Sequence, residues 1–149
     1  MAELVIRRMD LTDVDQVMEV EQATFSSPWT AEIFHQEIGH NQHAHYFVLE
    51  LEKKIIGYAG AWIVVDDAQI TNIAVDPAYR GNKFGEKLFR FTIQQIMMHG
   101  AVRLSLEVRV SNIAAQKLYR KFGLVPGGVR KNYYADDQED ALVMWVNLR

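Results

Sequence analysis

The sequence predicts one α/β domain, equally an α+β domain, in which a mixed and mostly antiparallel central sheet of about seven strands is flanked by about four helices. The chain has 149 residues, a length that suits a single domain. No repeat, low-complexity tract or proline-rich linker divides it, and it contains three prolines. Segments in which apolar residues recur at every second position alternate with segments of helical period. We therefore expect residues 1–149 to form one domain.

The N-terminal segment is expected to form one strand followed by two helices. Leu4–Arg8 has the apolar content of a strand. Thr12 is the candidate N-cap of the first helix, whose apolar pattern fades near Phe25. Thr30 can cap the second helix, and Gly39 is expected to stop it.

Three strands are expected next, paired antiparallel. Tyr46–Glu52 and Ile55–Val65 have the pattern of a hairpin, and Ala68–Val75 follows as the third strand. Within this third strand Ile70 and Ile73 are three positions apart, although residues on one face of a strand recur every two. This change of frame predicts a bulge.

The rest of the chain alternates between helices and strands, and glycines mark the stops. The predicted elements are a helix at Phe84–Met98, a strand at Val102–Val110, a helix capped by Ser111 or Asn112 that ends before Gly123, and strands at Leu124–Arg130 and Asp140–Leu148. These elements complete a sheet with helices on both faces.

Composition excludes several classes of function. The net charge is −3 and there is no cysteine, which argues against a nucleic-acid binder and excludes disulfides, zinc–thiolate sites and a cysteine nucleophile. No apolar run approaches the ~20 residues of a membrane span, and the N terminus has no secretory signal pattern. His40, His43 and His45 have no acidic partner in register, so we expect no metal. The expected location is the cytoplasm, without direct contact to nucleic acid or membrane.

The segment from Asn72 to Leu88 is the most informative. A strand here turns through a glycine-bearing loop straight into a helix. Unpaired N–H groups and the positive end of the dipole make a helix start an anion site, so a diphosphate could bind there. A glycine loop alone fits a structural turn equally well. The segment matches neither a Walker A motif nor a Rossmann fingerprint.

The loop resembles the acetyl-CoA loop of the GCN5-related N-acetyltransferase (GNAT) superfamily, Arg/Gln-x-x-Gly-x-Gly/Ala. Here the pattern is occupied by Arg80, Gly81, Asn82, Lys83, Phe84 and Gly85, and Lys83 stands where the family has its middle glycine. The segments 106–124, 130–134 and 139–144, together with Phe25 to Trp29 and Phe34, are similar to signatures of the RimI branch, the ribosomal-protein-alanine acetyltransferases. The resemblance covers nearly the whole chain.

The resemblance implies the GNAT fold, acetyl-CoA as the acetyl donor, and acetylation of the N-terminal alanine of a small-subunit ribosomal protein in a ternary complex. The residues that it implies for acetyl-CoA are Ile73, Ala74, Val75, Arg80, Gly81, Asn82, Lys83, Phe84, Gly85, Glu86 and Asn112. The Val75 N–H is a candidate donor to the thioester oxyanion, and Asn112 is alternatively a helix cap.

Two side chains are candidates for proton transfer. Glu107 shares a strand face with Ser105 and Arg109 near the carboxyl end of its strand, where it could equally be a solvated edge carboxylate. By resemblance it is the base that takes a proton from the attacking amine. Tyr119 is seven residues after Asn112 and shares its helix face. By itself it is a core tyrosine, and by resemblance it is the acid that protonates the departing thiolate.

The acceptor is open to several readings. For Trp29, Tyr133 and Tyr134, the wall of a peptide channel and packing in the core are equally compatible with the sequence. A small-molecule amine is the alternative acceptor, and a non-catalytic acyl-CoA-binding module is the alternative class of protein. The expected assembly is a monomer or a weak dimer.

Overall fold

One mixed sheet organises the molecule. The structure is a computed structural model that describes residues 3–148, and a seven-stranded sheet of order β1-β2-β3-β4-β5-β7-β6 runs through it. The strands are β1 (Leu4–Arg8), β2 (Ala44–Leu51), β3 (Lys54–Val64), β4 (Asp67–Val75), β5 (Arg103–Arg109), β6 (Val125–Arg130) and β7 (Ala141–Asn147). Within this sheet every neighbouring pair is antiparallel except β4 and β5. The predicted fold class is confirmed, while Met1, Ala2 and Arg149 of the predicted domain lie outside the described residues.

Helices cover both faces of this sheet. They are α1 (Val14–Thr24), α2 (Ala31–His40), α3 (Phe84–Met98) and α4 (Ile113–Lys121). On β2, Val48 packs in a cluster with residues of α1 and α2, whereas its neighbour Leu49 packs with Leu88 of α3. Since successive side chains of a strand point to opposite faces, α1 and α2 lie on one face and α3 on the other. Tyr119 of α4 contacts Phe89 of α3 with ring centroids 5.0 Å apart, so α4 shares the α3 face.

The start of the first helix differs from the prediction. Asp10, rather than Thr12, provides the capping side chain, and it caps a 3₁₀ turn that precedes α1: its carboxylate accepts the Thr12 N–H at 3.1 Å and the Thr12 hydroxyl at 2.6 Å. This short turn, Leu11–Asp13, then leads into α1. The prediction was wrong because the Asp13 carboxylate closes the turn from the other side, accepting the Asp10 N–H at 2.7 Å.

The other two predicted caps are correct in outline. The Thr30 hydroxyl accepts the Ile33 N–H at the start of α2, and Asn112, not Ser111, caps α4 by accepting the Ala115 N–H at 3.1 Å. Gly39 does not stop α2, which continues through His40. Glycine costs only about 1 kcal/mol inside a helix, so it does not by itself end one.

The predicted bulge is present at Thr71. Asn72 pairs with Gly60 and Ile70 pairs with Ala61, which leaves Thr71 without a partner on β3. The frame change between Ile70 and Ile73 was therefore a correct signal.

The parallel pair β4–β5 opens into a V. Only Asp67–Gln69 of β4 pair with Arg103–Ser105 of β5. Beyond Gln69 the two strands diverge, although β4 stays paired with β3 as far as Val75. The sheet therefore contains a wedge-shaped gap in its centre, and Gln69 is the last paired residue at its closed end.

No helix within residues 3–148 is long and apolar enough to cross a membrane.

Candidate active site

Two adjoining cavities occupy the gap between β4 and β5. We call the first, about 420 Å³, the acidic cavity, and the second, about 570 Å³, the basic cavity, after the charged side chains that line them. Four residues line both cavities: Phe25, Ile73, Asn112 and Tyr119. A ligand that passes through this junction can occupy both cavities at once.

The charged groups of the acidic cavity come from three separate parts of the chain. Its charged residues are the carboxylates Glu21, Glu107 and Asp136 and the guanidinium of Arg109. They come respectively from α1, β5, the segment between β6 and β7, and β5 again. When all are ionised, three negative charges face one positive charge, so this cavity favours a cationic or hydrogen-donating ligand.

Glu107 lies on the predicted face of β5. Its side chain is 10% exposed and lines the acidic cavity. The Gln69 amide donates to Oε2 at 3.1 Å and to Oε1 at 3.5 Å, and the Arg130 Nε lies 3.4 Å from Oε1. The reading of Glu107 as a solvated edge carboxylate is therefore wrong, because the group is largely buried and held from two sides.

Tyr119 of α4 and Asn112, the N-cap of the same helix, both lie at the junction of the two cavities. Tyr119 is 6% exposed, and burial, followed by the nearby Tyr134, raises the pKa of its hydroxyl above the ordinary value. The phenol is therefore protonated at neutral pH, so in its resting form it can donate a hydrogen bond or a proton but cannot act as a base.

Arg109 forms ion pairs with three carboxylates of the segment between β6 and β7. Its guanidinium binds Asp136, Asp137 and Glu139 at 2.9 to 3.1 Å and lies 4.0 Å from the ring centroid of Tyr134. These ion pairs fix the β6–β7 segment against β5, so the three carboxylates do not form an unpaired acidic patch.

The two loops beside the acidic cavity touch each other across it. The Ser26 hydroxyl, between α1 and α2, donates to Asp136 of the β6–β7 segment. Trp29 and Tyr134 line the cavity beside these loops, and Tyr133, 45% exposed, stands near the solvent with its ring centroid 5.1 Å from that of Tyr134. The three predicted aromatic residues thus line one cavity, although Trp29 also packs on Phe34 in the core, with centroids 5.3 Å apart.

The basic cavity is built around the start of α3. The first hydrogen bond of this helix is from the Lys87 N–H to the Lys83 carbonyl at 3.1 Å, and no group among residues 3–148 accepts the N–H groups of residues 81–86. The charged residues that line the cavity are Arg80, Lys83, Lys117, Lys121 and Glu86. Four cations therefore face one carboxylate, and that carboxylate is already bound to Lys121 at 2.7 Å. Unpaired N–H groups and this surplus of cations suit an anionic ligand.

The loop before α3 needs left-handed backbone at two positions. Gly81 has φ +86° and Lys83, the residue before the helix, has φ 62° and ψ 20°. Glycine adopts this conformation without steric cost, whereas other L-residues pay about 1–2 kcal/mol. This explains why a glycine suits the position that Lys83 occupies. Lysine adopts the left-handed conformation there at this steric cost.

Most residues predicted for acetyl-CoA line the basic cavity, with one exception. Asn82 is absent from its lining, and its side-chain amide instead donates to the carbonyls of Tyr79 and Arg80 at 3.2 and 3.4 Å. Asn82 therefore shapes the loop rather than facing the cavity. The remaining predicted residues, Ile73, Ala74, Val75, Arg80, Gly81, Lys83, Phe84, Gly85, Glu86 and Asn112, all line it.

The free backbone edge of β4 arises from the divergence of β4 and β5 rather than from the bulge. Asp76 N–H donates to the Ile56 carbonyl at 2.7 Å, and hydrogen-bonded and non-hydrogen-bonded pairs alternate along antiparallel strands. Ile73 and Val75 are therefore non-hydrogen-bonded positions whose N–H groups point away from β3 into the gap. The bulge at Thr71 lies before them, so it is the divergence from β5 that leaves these groups free.

Comparison with known proteins identifies the family. The model of the acetyltransferase (GNAT) family matches residues 14–124. The chain belongs to this family.

Similarity to individual GNAT proteins extends over almost the whole chain. A Bacillus subtilis protein assigned as a ribosomal protein bS18-alanine N-acetyltransferase is 55% identical over 143 residues, covering 96% of this chain and 95% of that protein. The Escherichia coli ribosomal protein bS18-alanine N-acetyltransferase is 34% identical over 143 residues, covering 93% and 94%. The crystal structure of the ribosomal-protein-S18-alanine N-acetyltransferase from Escherichia coli matches with a TM-score of 0.90 at 32% identity, covering 98% of this chain and 94% of that chain. This GNAT chain is thus an acyltransferase of a family that uses acetyl-CoA.

Glu21, which lines the acidic cavity, and Gln69, which contacts Glu107 from outside it, were not predicted as site residues from the sequence. Glu21 is 1% exposed, accepts the Trp29 N–H at 2.8 Å and accepts the hydroxyl of Tyr58. Burial raises the pKa of Glu21 above its ordinary value. A signal for Glu21 existed, because it falls seven residues after Val14 on the apolar face of α1. For Gln69 there was no signal in the sequence, since its contact depends on the register of β4 with β5.

The His, Asp and Glu side chains of residues 3–148 form no group that could hold a metal ion.

Proposed function

We propose that this GNAT enzyme transfers the acetyl group of acetyl-CoA to the α-amine of a protein that begins with alanine, and that its acceptor is ribosomal protein bS18. The observation that carries the proposal is the pair of cavities of opposite charge that meet at Tyr119. One suits an anionic donor and the other suits an amine, so both substrates can be bound together and the acetyl group can pass directly between them.

Acetyl-CoA occupies the basic cavity in this proposal. Its diphosphate binds the N–H groups of residues 81–86, and Arg80, Lys83 and Lys117 add positive charge. The pantetheine arm runs along the gap beside the outward N–H groups of Ile73 and Val75. This path leads the thioester to the junction with the acidic cavity.

Glu107 acts on the acceptor amine. An α-ammonium group has a reference pKa of about 8, so near pH 7 most acceptor molecules carry a protonated amine. That amine must lose a proton before it can attack. Glu107 takes that proton, directly or through a water molecule, as the C–N bond forms. Its place in the acidic cavity and its low exposure support this role.

Tyr119 and Val75 act on the thioester. The Val75 N–H donates to the carbonyl oxygen as negative charge develops there, a contact worth about 3 kcal/mol in other enzymes. As the C–S bond breaks, the Tyr119 hydroxyl donates to the departing thiolate. A thiol and a phenol already differ by ~1.5 pKa units, and burial raises the pKa of Tyr119 further, so a strong hydrogen bond is favoured over complete proton transfer.

A protein N terminus is favoured over a small amine as the acceptor. The acidic cavity is open beside Trp29, Tyr133 and Tyr134, whose aromatic surfaces suit a peptide that continues outward from its reacting amine. The similarity to bS18-alanine N-acetyltransferases over more than nine-tenths of the chain points the same way. The reaction is then placed in the cytoplasm, where ribosomal proteins are made.

Mass spectrometry of acetylated peptides tests the proposal. Peptides that begin with Ala, Ser, Gly or Met and are otherwise identical are incubated with the enzyme and acetyl-CoA, alongside a peptide whose α-amine is blocked but which retains a lysine, and a free polyamine. We expect one acetyl group on the α-amine, fastest for the Ala peptide and for the N-terminal segment of bS18. Acetylation of the polyamine or of the blocked peptide at a comparable rate would contradict it.

A further inference from the structure

The contact between Gln69 and Glu107 crosses the gap at its closed end. Gln69 is the last residue of β4 that pairs with β5, opposite Ser105. Glu107 is two positions farther along β5 and so lies on the same face as Ser105. The Gln69 amide bridges the two strands and donates to both carboxylate oxygens, the nearer at 3.1 Å.

Gln69 reaches Glu107 from outside the acidic cavity. Glu107 lines that cavity whereas Gln69 does not; Gln69 instead lines a separate cavity with Trp62 and Arg103. The amide therefore holds the carboxylate without occupying space that an acceptor needs.

Only two groups among residues 3–148 hold the Glu107 carboxylate, and they differ in strength. Arg130 is the other, with Nε at 3.4 Å and a side chain that is 59% exposed. Exposed ion pairs contribute little because solvent screens them and long side chains lose entropy on pairing. Gln69 is half-buried and its amide approaches the carboxylate to 3.1 Å, so solvent weakens this contact less and it is the stronger constraint.

We infer that Gln69 is a positioning residue for the reaction: it orients the Glu107 carboxylate toward the acceptor amine. This inference rests on the proposed role of Glu107 as the base. A base must lie within hydrogen-bond reach of the proton that it takes, and a displacement of about 1 Å can lower a rate by ~100-fold. An amide donor brings no net charge, so it fixes the direction of the carboxylate without placing a cation on it.

The test is Gln69→Leu, with Gln94→Leu on the exposed face of α3 as the matched control. With an Ala-starting peptide and saturating acetyl-CoA, we expect kcat of Gln69→Leu to fall about tenfold near pH 7, where the amine depends on a base. The deficit should shrink to less than about threefold near pH 9, because the amine is then mostly neutral by itself. Affinity for coenzyme A should match wild type, since Gln69 does not line the basic cavity.

Two results would overturn the inference: a kcat within about twofold of wild type near pH 7, or a deficit of the same size at both pH values. The second result would indicate a purely structural role. If Gln69→Leu does not fold, Gln69→Asn gives the same comparison, because its amide is one methylene shorter and cannot reach Glu107. Failure of the proposed function is distinguishable, because wild type itself would then leave the Ala-starting peptide unmodified.

Discussion

The basic and acidic cavities share four residues but are built in different ways. The wall of the basic cavity is largely one stretch of chain, the end of β4 and the start of α3, with one face of α4 opposite. Its main groups are backbone N–H groups left free by the helix start and by the divergence of β4 from β5. The acidic cavity takes its groups from side chains on α1, β4, β5, α4 and two loops.

This difference predicts how each cavity responds to substitution. Binding that depends on backbone groups and several dispersed cations should change modestly when one side chain is altered. Chemistry that depends on one carboxylate and one hydroxyl should change steeply. The experiments below test this contrast, beginning with the largest expected effect.

Glu107→Gln should lower kcat by about a hundredfold or more near pH 7, because the amide cannot take a proton from the acceptor. The dissociation constant of acetyl-CoA should stay within about twofold of wild type, since Glu107 does not line the basic cavity. Steady-state kinetics and calorimetry measure the two quantities. Full activity of this variant between about pH 6 and pH 9 would refute the role of Glu107.

Tyr119→Phe should lower kcat about tenfold, with little change in the affinity for acetyl-CoA. The ring packs on Phe89 and is retained in the variant, so only the hydroxyl at the junction of the cavities is lost. Single-turnover kinetics isolate the chemical step. Unchanged turnover would mean that Tyr119 contributes packing alone and that the thiolate leaves without its help.

Lys83→Gly tests the strained turn of the basic cavity. Glycine relieves the left-handed conformation at φ 62° but gains freedom in the unfolded chain, so we expect the free energy of unfolding to rise by about 0.5–1 kcal/mol. Loss of one of four cations should weaken acetyl-CoA binding only about twofold to threefold. Urea denaturation measures the first quantity. A destabilised variant would show that the Lys83 side chain holds the loop in place.

Asp136 provides the smallest expected effect, a pH dependence confined to the mouth of the acidic cavity. The hydrogen bond from Ser26, followed by that from Arg109, lowers the pKa of Asp136 from its ordinary 3.8 to about 2. A depressed pKa contributes stability above the unfolded value and loses it as the pH falls through the folded value. Above about pH 4, wild type should therefore melt at a higher temperature than Asp136→Asn, and this difference should disappear as the pH falls to about 2. A difference that stays constant over this range would mean that the contacts of Asp136 with Ser26 and Arg109 are absent in solution.

The same contrast explains which features could be predicted from the sequence. Strand and helix positions followed from periodicity, and Leu4–Arg8 and Phe84–Met98 match the structure residue for residue. The loop at 80–85 could be found because its groups are contiguous, and Glu107 and Tyr119 because the family resemblance marks them. Their roles remain proposals.

What escaped prediction depends on contacts between distant segments. Gln69 meets Glu107 only through the short parallel register of β4 with β5, and no local pattern reports such a register. Asp10 replaced Thr12 as the cap because Asp13 closes the turn with it, and the sequence offers several acceptors within four residues. Glu21 was overlooked although its place on an apolar helix face is unusual for a carboxylate.

Titration calorimetry with coenzyme A tests the central claim most directly, that the basic cavity alone binds the donor. We compare wild type with Lys117→Glu in the basic cavity, Glu107→Gln in the acidic cavity, and Lys53→Glu in the turn between β2 and β3 as the charge-matched control. The account predicts binding to wild type, Glu107→Gln and Lys53→Glu with similar affinity, and a loss of about fivefold for Lys117→Glu that narrows at high salt. Absence of binding heat in folded wild type, or affinity that follows Glu107 rather than Lys117, would contradict it.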